Sequence, residues 1–334
     1  MAFPVSSSLL AAGHLARFLQ ETYSLSALPK CRIIRSGIND NYIVTTEEKK
    51  FVFRVYSLDW RTEKEINEEI RLLAKLRDAN ISVSYALPDK DGKYLQTLDA
   101  PEGKRFGVLF SFAEGKKIVH FAPELHFKIG EVMANLHKVV VNQTIDRVTY
   151  TPEVLLAGSF ECLKEFVPED SEEMQFMYSA QQFLLKELRE ANTSELRKGI
   201  VHIDIWFDNL NITGDGAITL FDFDFCGNGW LALDPACYLM ELQFTEQVES
   251  EYRAKAEGFL GGYESVTPLT AEEKRLIPAL GACLYFFYLG VQCQRFDNYS
   301  NVFLSEANLK RYIIARVKRF MDFHKLGTGA VVSL

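Results

Sequence analysis

The chain has 334 residues, 48% of them hydrophobic, enough to bury a sizeable core in one large or two ordinary domains. A formal net charge of −8 opposes nucleic-acid binding, which depends on a clustered basic face. Six cysteines (Cys31, Cys162, Cys226, Cys237, Cys283 and Cys293) show no CxxC pair and no regular spacing. They fit reduced thiols in a cytoplasmic protein better than a disulfide framework or a zinc site.

In chain order, residues 7–23 read as an amphipathic helix and not as a signal peptide, because His14, Arg17 and Glu21 interrupt the apolar residues at helical intervals. From Cys31 to Leu98 the apolar period is two, which predicts strands at Arg32–Arg35, Tyr42–Thr46 and Phe51–Tyr56. Thr62 and Glu65 then form a capping box, and Ile66, Ile70, Leu73 and Leu76 continue as one helical stripe to about Ala79. A strand pair follows at Tyr94–Thr97 and Phe106–Phe112. Beyond Gly115 helices are predicted over 122–138, 152–164, 171–191, 235–261, 271–296 and 303–324. A short β segment, Gly199–Thr219, interrupts them and turns at Thr213-Gly214-Asp215-Gly216. The tail after Lys325 is expected to fray.

This pattern describes an α+β protein in two lobes. Residues 1–113 make a small antiparallel β-sheet lobe with a packed helix, and residues 114–334 make a larger, mainly helical lobe. Ala113–Lys117 is the candidate hinge. The most apolar stretch, Leu276–Val291, carries Pro278 and is too short and too near charges to span a bilayer, so no membrane is expected.

The chemistry concentrates in Val201-His202-Ile203-Asp204-Ile205-Trp206-Phe207-Asp208-Asn209 and, after the hairpin, Leu220-Phe221-Asp222-Phe223-Asp224-Phe225. The pattern is H-x-D-x-x-x-x-N followed by an apolar residue and D-F-D. Phosphoryl transfer needs an acidic group that orients the attacking hydroxyl and accepts its proton, and oxygen ligands for Mg²⁺. Asp204 suits the first role, and Asn209 with Asp222 the second. His202 is expected to hold the loop, Asp224 either to assist the metal or to anchor the loop, and Asp234 to cap the following helix.

These loops resemble the catalytic and metal loops of the aminoglycoside phosphotransferase and choline kinase family, which has a protein-kinase-like fold. Phe53-Arg54-Val55-Tyr56 through Trp60-Arg61, Glu69–Leu73, Leu87-Pro88-Asp89, Ile129-Gly130 through Leu136-His137, and Gly258–Tyr263 resemble it as well. The nearest branch holds homoserine-kinase-like enzymes and bacterial stress-response kinases. The resemblance implies an ATP- and Mg²⁺-dependent kinase acting on a hydroxyl of a small polar metabolite. It leaves as alternatives a Ser/Thr protein kinase and a nucleotide-binding pseudokinase.

Helix geometry puts Glu69 on the apolar stripe, where a carboxylate needs a cation, and Arg54 is its natural partner, the alternative being a solvent-facing arginine on an edge strand. The resemblance implies that Arg54 contacts phosphate, although most relatives place lysine there. Ser36-Gly37-Ile38-Asn39-Asp40-Asn41 is similar to the family's phosphate-covering loop but has one glycine, so Ser36 and Asn41 are phosphate candidates or parts of an ordinary hairpin turn. The resemblance alone places adenine at the end of Phe110–Ala113, beside Ser111 and Ala113. Trp230, Tyr238, Glu241, Phe244, Tyr285 and Tyr288 are candidates for holding an amine-bearing alcohol, with core packing the stronger reading for the tyrosines of the apolar helix.

Overall fold

The computed structural model describes residues 3–294 and 304–327, which form two compact units. The first comprises residues 3–114 with 219–221, and the second 115–218 with 222–294 and 304–327. Expected helix positions 295, 296 and 303, and the tail beyond 327, lie outside the described residues.

The first unit holds helix α1 (Ala12–Thr22), strands β1 (Lys30–Ser36), β2 (Asp40–Thr45) and β3 (Lys50–Val55), helix α2 (Glu63–Asp78), and strands β4 (Leu95–Ala100) and β5 (Gly103–Ser111). All five strands pair antiparallel in the order β1-β2-β3-β5-β4. Period two divides the sheet faces. Tyr42, Val44, Phe53, Val55 and Leu109 meet Leu15 and Leu19 of α1 in one apolar cluster. Arg54 points the other way. The capping box at Thr62 and Glu65 starts α2 as the sequence predicts.

Sequence reasoning missed Arg105, which is 2% exposed. Its guanidinium donates to the carbonyls of Tyr56 and Ser8 and to Asp40 Oδ2 at 2.8 Å. It thereby ties β5 to the segment before α1 and to the β1–β2 turn.

The second unit holds α3 (Pro123–Val140), α4 (Pro152–Lys164), α5 (Glu172–Arg189), β6 (Lys198–Val201), β7 (Leu210–Ile212), β9 (Gly227–Trp230), α6 (Leu233–Thr245), α7 (Glu249–Val266) and α8 (Ala271–Cys293). After these come α9 (Glu306–Tyr312), a π-helical stretch (Ile313–Lys318) and α10 (Arg319–Phe323). β8 (Ile218–Leu220) closes the expected hairpin with β7.

Three expectations need correction. The single helix over 235–261 is two helices, α6 and α7, separated by Glu246–Val248. The apolar pattern runs on through the break, but α7 turns to lie along α3. There the Cβ of a non-glycine residue at 262 would fall 1.9 Å from Phe127 O, and one at 130 would fall 2.1 Å from Phe259 O. The backbones cross in contact, which only glycine permits. Gly262→Ala is therefore expected to destabilise the protein by about 3 kcal/mol, read as a lower denaturant midpoint. A midpoint within error of the parent would refute that crossing.

The second correction is β9, a strand of glycine-rich sequence that pairs with β6 from Lys198↔Trp230 to Val201↔Gly227. The third concerns Leu276–Val291, read as too short to span a bilayer. It lies within a 23-residue helix, lengthened by a polar first turn, that holds an 18-residue window of mean hydropathy 1.6, and by length and composition alone such a helix could cross a membrane. In this fold 83% of its apolar window is buried, and it packs on α4 and α6.

His126 and His324 are buried, and desolvation pushes both down to about 4. The unfolded chain would bind protons at about 6.5, so folding keeps these rings neutral. Stability is full above that pH and is lost as pH falls towards 4, by roughly 3 kcal/mol per histidine. The midpoint of urea unfolding is expected to fall between pH 7 and pH 5, with a shallower fall in His324→Phe. A variant curve parallel to the parent's would refute the assignment.

Candidate active site

The segment after β6 turns sharply. Ile203 has φ +53°, a left-handed conformation that a β-branched side chain adopts only under constraint. The constraint is Asp234, fully buried, whose Oδ1 accepts the backbone N–H of Ile203 at 2.6 Å and of His202 at 3.0 Å. Asp234 Oδ2 also meets His137 Nε2 at 2.9 Å, and His137 Nδ1 in turn meets the Tyr263 hydroxyl at 2.7 Å. Asp234 is thus not the expected helix cap: α6 has already begun at Leu233, and the carboxylate is the anchor of the preceding loop.

His202 turns its ring inward, and Nδ1 accepts the N–H of Asp204 at 3.1 Å. The ring packs on Phe223 with centroids 4.3 Å apart. Tyr288 of α8, favoured as core packing, instead reaches this loop: its hydroxyl donates to Ile203 O and lies 3.3 Å from Asp204 Oδ1. The weight given to packing holds for Tyr285, which is fully buried among Tyr312 and Phe320.

Asp204 and Asn209 are joined directly. Asn209 Nδ2 donates to Asp204 Oδ2 at 2.6 Å and to Asp204 O at 3.0 Å. Asp222 follows the β7–β8 hairpin and takes φ +66°, a second left-handed residue. It comes near enough for its charge to act on Asp204. Burial, then the negative charges of Asp222 and Glu241, hold the Asp204 carboxyl well above the usual carboxylate range. The segment Phe223–Phe225 is held by Arg147, which donates to the carbonyls of Phe223 and Asp224, and by the Tyr150 hydroxyl on Phe225 O.

In the first unit Arg54 and Glu69 form the ion pair that helix geometry predicts, Nη1 to Oε1 at 3.3 Å, with Tyr56 donating to the other carboxylate oxygen at 3.1 Å. β3 is the central strand and Arg54 is 6% exposed, so it is not a solvent-facing edge residue. Arg54 Nε also donates to Asn41 Oδ1 at 3.4 Å. Ser36 donates its hydroxyl to Asp40 Oδ1, which closes the β1–β2 hairpin. Ser111 is held at the end of β5: its N–H donates to Tyr85 O, its carbonyl accepts from Ser84, and its hydroxyl accepts Tyr85 N–H. Ala113, two residues on, is 7% exposed.

A family model described as a phosphotransferase enzyme family matches residues 30–269. An uncharacterised protein of Synechocystis sp. (strain ATCC 27184 / PCC 6803 / Kazusa) is 30% identical over 90% of this chain and 84% of its own. A homoserine kinase of Rhizobium meliloti (strain 1021) is 29% identical over 82% of each chain. Among solved structures, a microcompartment-associated aminopropanol kinase superposes with a TM-score of 0.77 over 94% of this chain and 98% of its own, at 22% identity. That last likeness is one of fold, a small antiparallel sheet lobe and a helical lobe.

Proposed function

Because the chain belongs to the phosphotransferase enzyme family, we propose that it transfers the γ-phosphoryl group of ATP, with Mg²⁺, to a hydroxyl of a small polar metabolite, such as an amino alcohol or a homoserine-like or aminoglycoside-like compound. The family makes it a kinase with an alcohol group as acceptor; the nucleotide, the metal and the kind of acceptor are inferred from its site and its relatives. The observation that carries this reading is the direct bond between Asp204 and Asn209 on a strained, anchored loop with Asp222 beside it.

The donor set fits a hard divalent cation. Asn209 spends its amide N–H groups on Asp204, which turns its oxygen away, and Asp222 contributes carboxylate oxygens. When bound, Mg²⁺ neutralises phosphate charge. Asp204 orients the acceptor hydroxyl and takes its proton as that oxygen receives the phosphoryl group and ADP leaves. Asn209 and Tyr288 fix the carboxylate in one rotamer, and the Asp234 anchor fixes the backbone beneath it. Arg54, kept charged and oriented by Glu69, is assigned to phosphate, with Ser36 and Asn41 at the neighbouring turn and Ser111 and Ala113 towards adenine. Relatives named homoserine kinase support the choice of a small acceptor.

Labelled phosphate from ATP should appear in one class of a panel of amino alcohols, homoserine, aminoglycosides and generic protein substrates. Chelating Mg²⁺ with EDTA should stop the transfer. Label found only in the proteins would overturn the choice of acceptor, and transfer undiminished by EDTA would overturn the metal.

A further inference from the structure

Glu241 on α6 is a site candidate whose bonding is left incomplete. Its side chain is 12% exposed, and Oε2 is enclosed with no hydrogen-bond partner among the described residues. An enclosed carboxylate oxygen without a donor is unfavourable, so the position calls for one from outside the chain. Arg316 does not fill that need. It approaches only Oε1, at 3.5 Å, long for a charged hydrogen bond, and its guanidinium instead lies 3.4 Å from the centre of the Phe244 ring. The π-helical stretch that presents Arg316 is a rare local structure, frequent at functional sites.

Glu241 lines a small recess whose other walls include Phe121, Trp206, Phe207 and Tyr238. Aromatic faces around a carboxylate attract an organic cation. A single carboxylate offers too few oxygens for Ca²⁺ or Mg²⁺. His126, also at this wall, is held neutral at physiological pH and adds no competing positive charge. Trp206 and Phe207 follow Asp204 in the same loop, and the charge of Glu241 acts on Asp204. Cavity and base therefore adjoin. The enclosed space is about that of one small polar group, which suits an ammonium and no bulkier head group.

We propose that this cavity binds the primary ammonium group of the acceptor, with Glu241 as its counter-charge, so that the acceptor is a short amino alcohol. The assignment rests on the reading of Asp204 as the base. Arg316 is a positioning residue that holds Oε1 while Oε2 accepts from the ammonium.

The test titrates 3-aminopropan-1-ol and butan-1-ol, which differ by ammonium against methyl, into the parent and into Glu241→Gln by calorimetry without nucleotide. Phosphate transfer to both alcohols is then measured with ATP and Mg²⁺. The parent is expected to prefer the amine, and Glu241→Gln to weaken amine binding by roughly 10- to 100-fold while butan-1-ol is unaffected. In turnover, KM for the amine should rise more than kcat falls, a split that a merely structural role would not give. Trp206→Leu, which leaves the buried acid in place, should weaken the amine about fivefold and serves if Glu241→Gln does not fold. Equal binding of the two alcohols by the parent, or amine affinity unchanged in the variants, would overturn the site. Amine binding that depends on Glu241 without any phosphate transfer would uphold the site and overturn the chemistry assigned to Asp204. Transfer to both alcohols with Glu241→Gln matching the parent would do the reverse.

Discussion

Asp204→Ala is expected to lower kcat by about 10²- to 10⁴-fold, the range that a positioned general base contributes, while nucleotide affinity stays within a few-fold of the parent. The carboxylate lies at the end of a strained turn, accepts from Asn209 and is approached by Tyr288. The alanine variant therefore removes the proton acceptor and also frees the Asn209 amide. Asp204→Asn separates the two effects. It preserves shape and one acceptor oxygen, so folding should be untouched while turnover falls almost as far. Single-turnover transfer and nucleotide titration on both variants give the answer, and a kcat within threefold of the parent in either would remove Asp204 from the role of base.

Asp234→Ala is expected to be the most damaging polar change away from the reacting atoms. One buried carboxylate accepts from two backbone N–H groups and from His137, and its loss takes that acceptor from three buried polar groups at once. Removing one member of such a buried network lowers stability by about 3–5 kcal/mol. Ile203 would also lose what holds it at positive φ, and relaxation there would swing Asp204 out of place. A large drop in the denaturant midpoint is expected, together with a loss of kcat that persists at temperatures where the variant is still folded. Asp234→Asn, which keeps one acceptor oxygen, should fall between. A variant of parental stability and parental kcat would show that the loop is held by something else.

What was legible from sequence was local. The period-two strands, the capping box and the place of Glu69 on a buried face follow from spacing alone, because strand alternation and the 100° helical step fix which side chains share a face, while the choice of Arg54 as its partner drew on the family resemblance. The motif around Asp204 and Asp222 was legible for the same reason: a short hairpin must bring its ends together. Asp234 was misread because the N–H groups that donate to it lie 31 and 32 residues earlier, and a carboxylate at the start of a helix looks like a cap whatever it bonds. The division of α6 from α7 was hidden because the reason for it lies on α3. Tyr288 was weighed as packing because its helix is apolar on every side, and only the tertiary arrangement shows that its hydroxyl reaches the loop. Arg105 gave no signal, since a lone arginine in a β-rich segment resembles a surface residue until its partners are known.

The glycine contact between α3 and α7 has a reach beyond its own packing. α3 carries His137 and α7 carries Tyr263, the two side chains that meet each other and then Asp234. The distance between two helix axes is thereby transmitted, through an imidazole and a carboxylate, to the peptide unit just before Asp204. A bulkier residue at 130 or 262 that the fold survives would spread the helices and stretch this relay, so catalytic precision should fade at temperatures well below those that melt the chain.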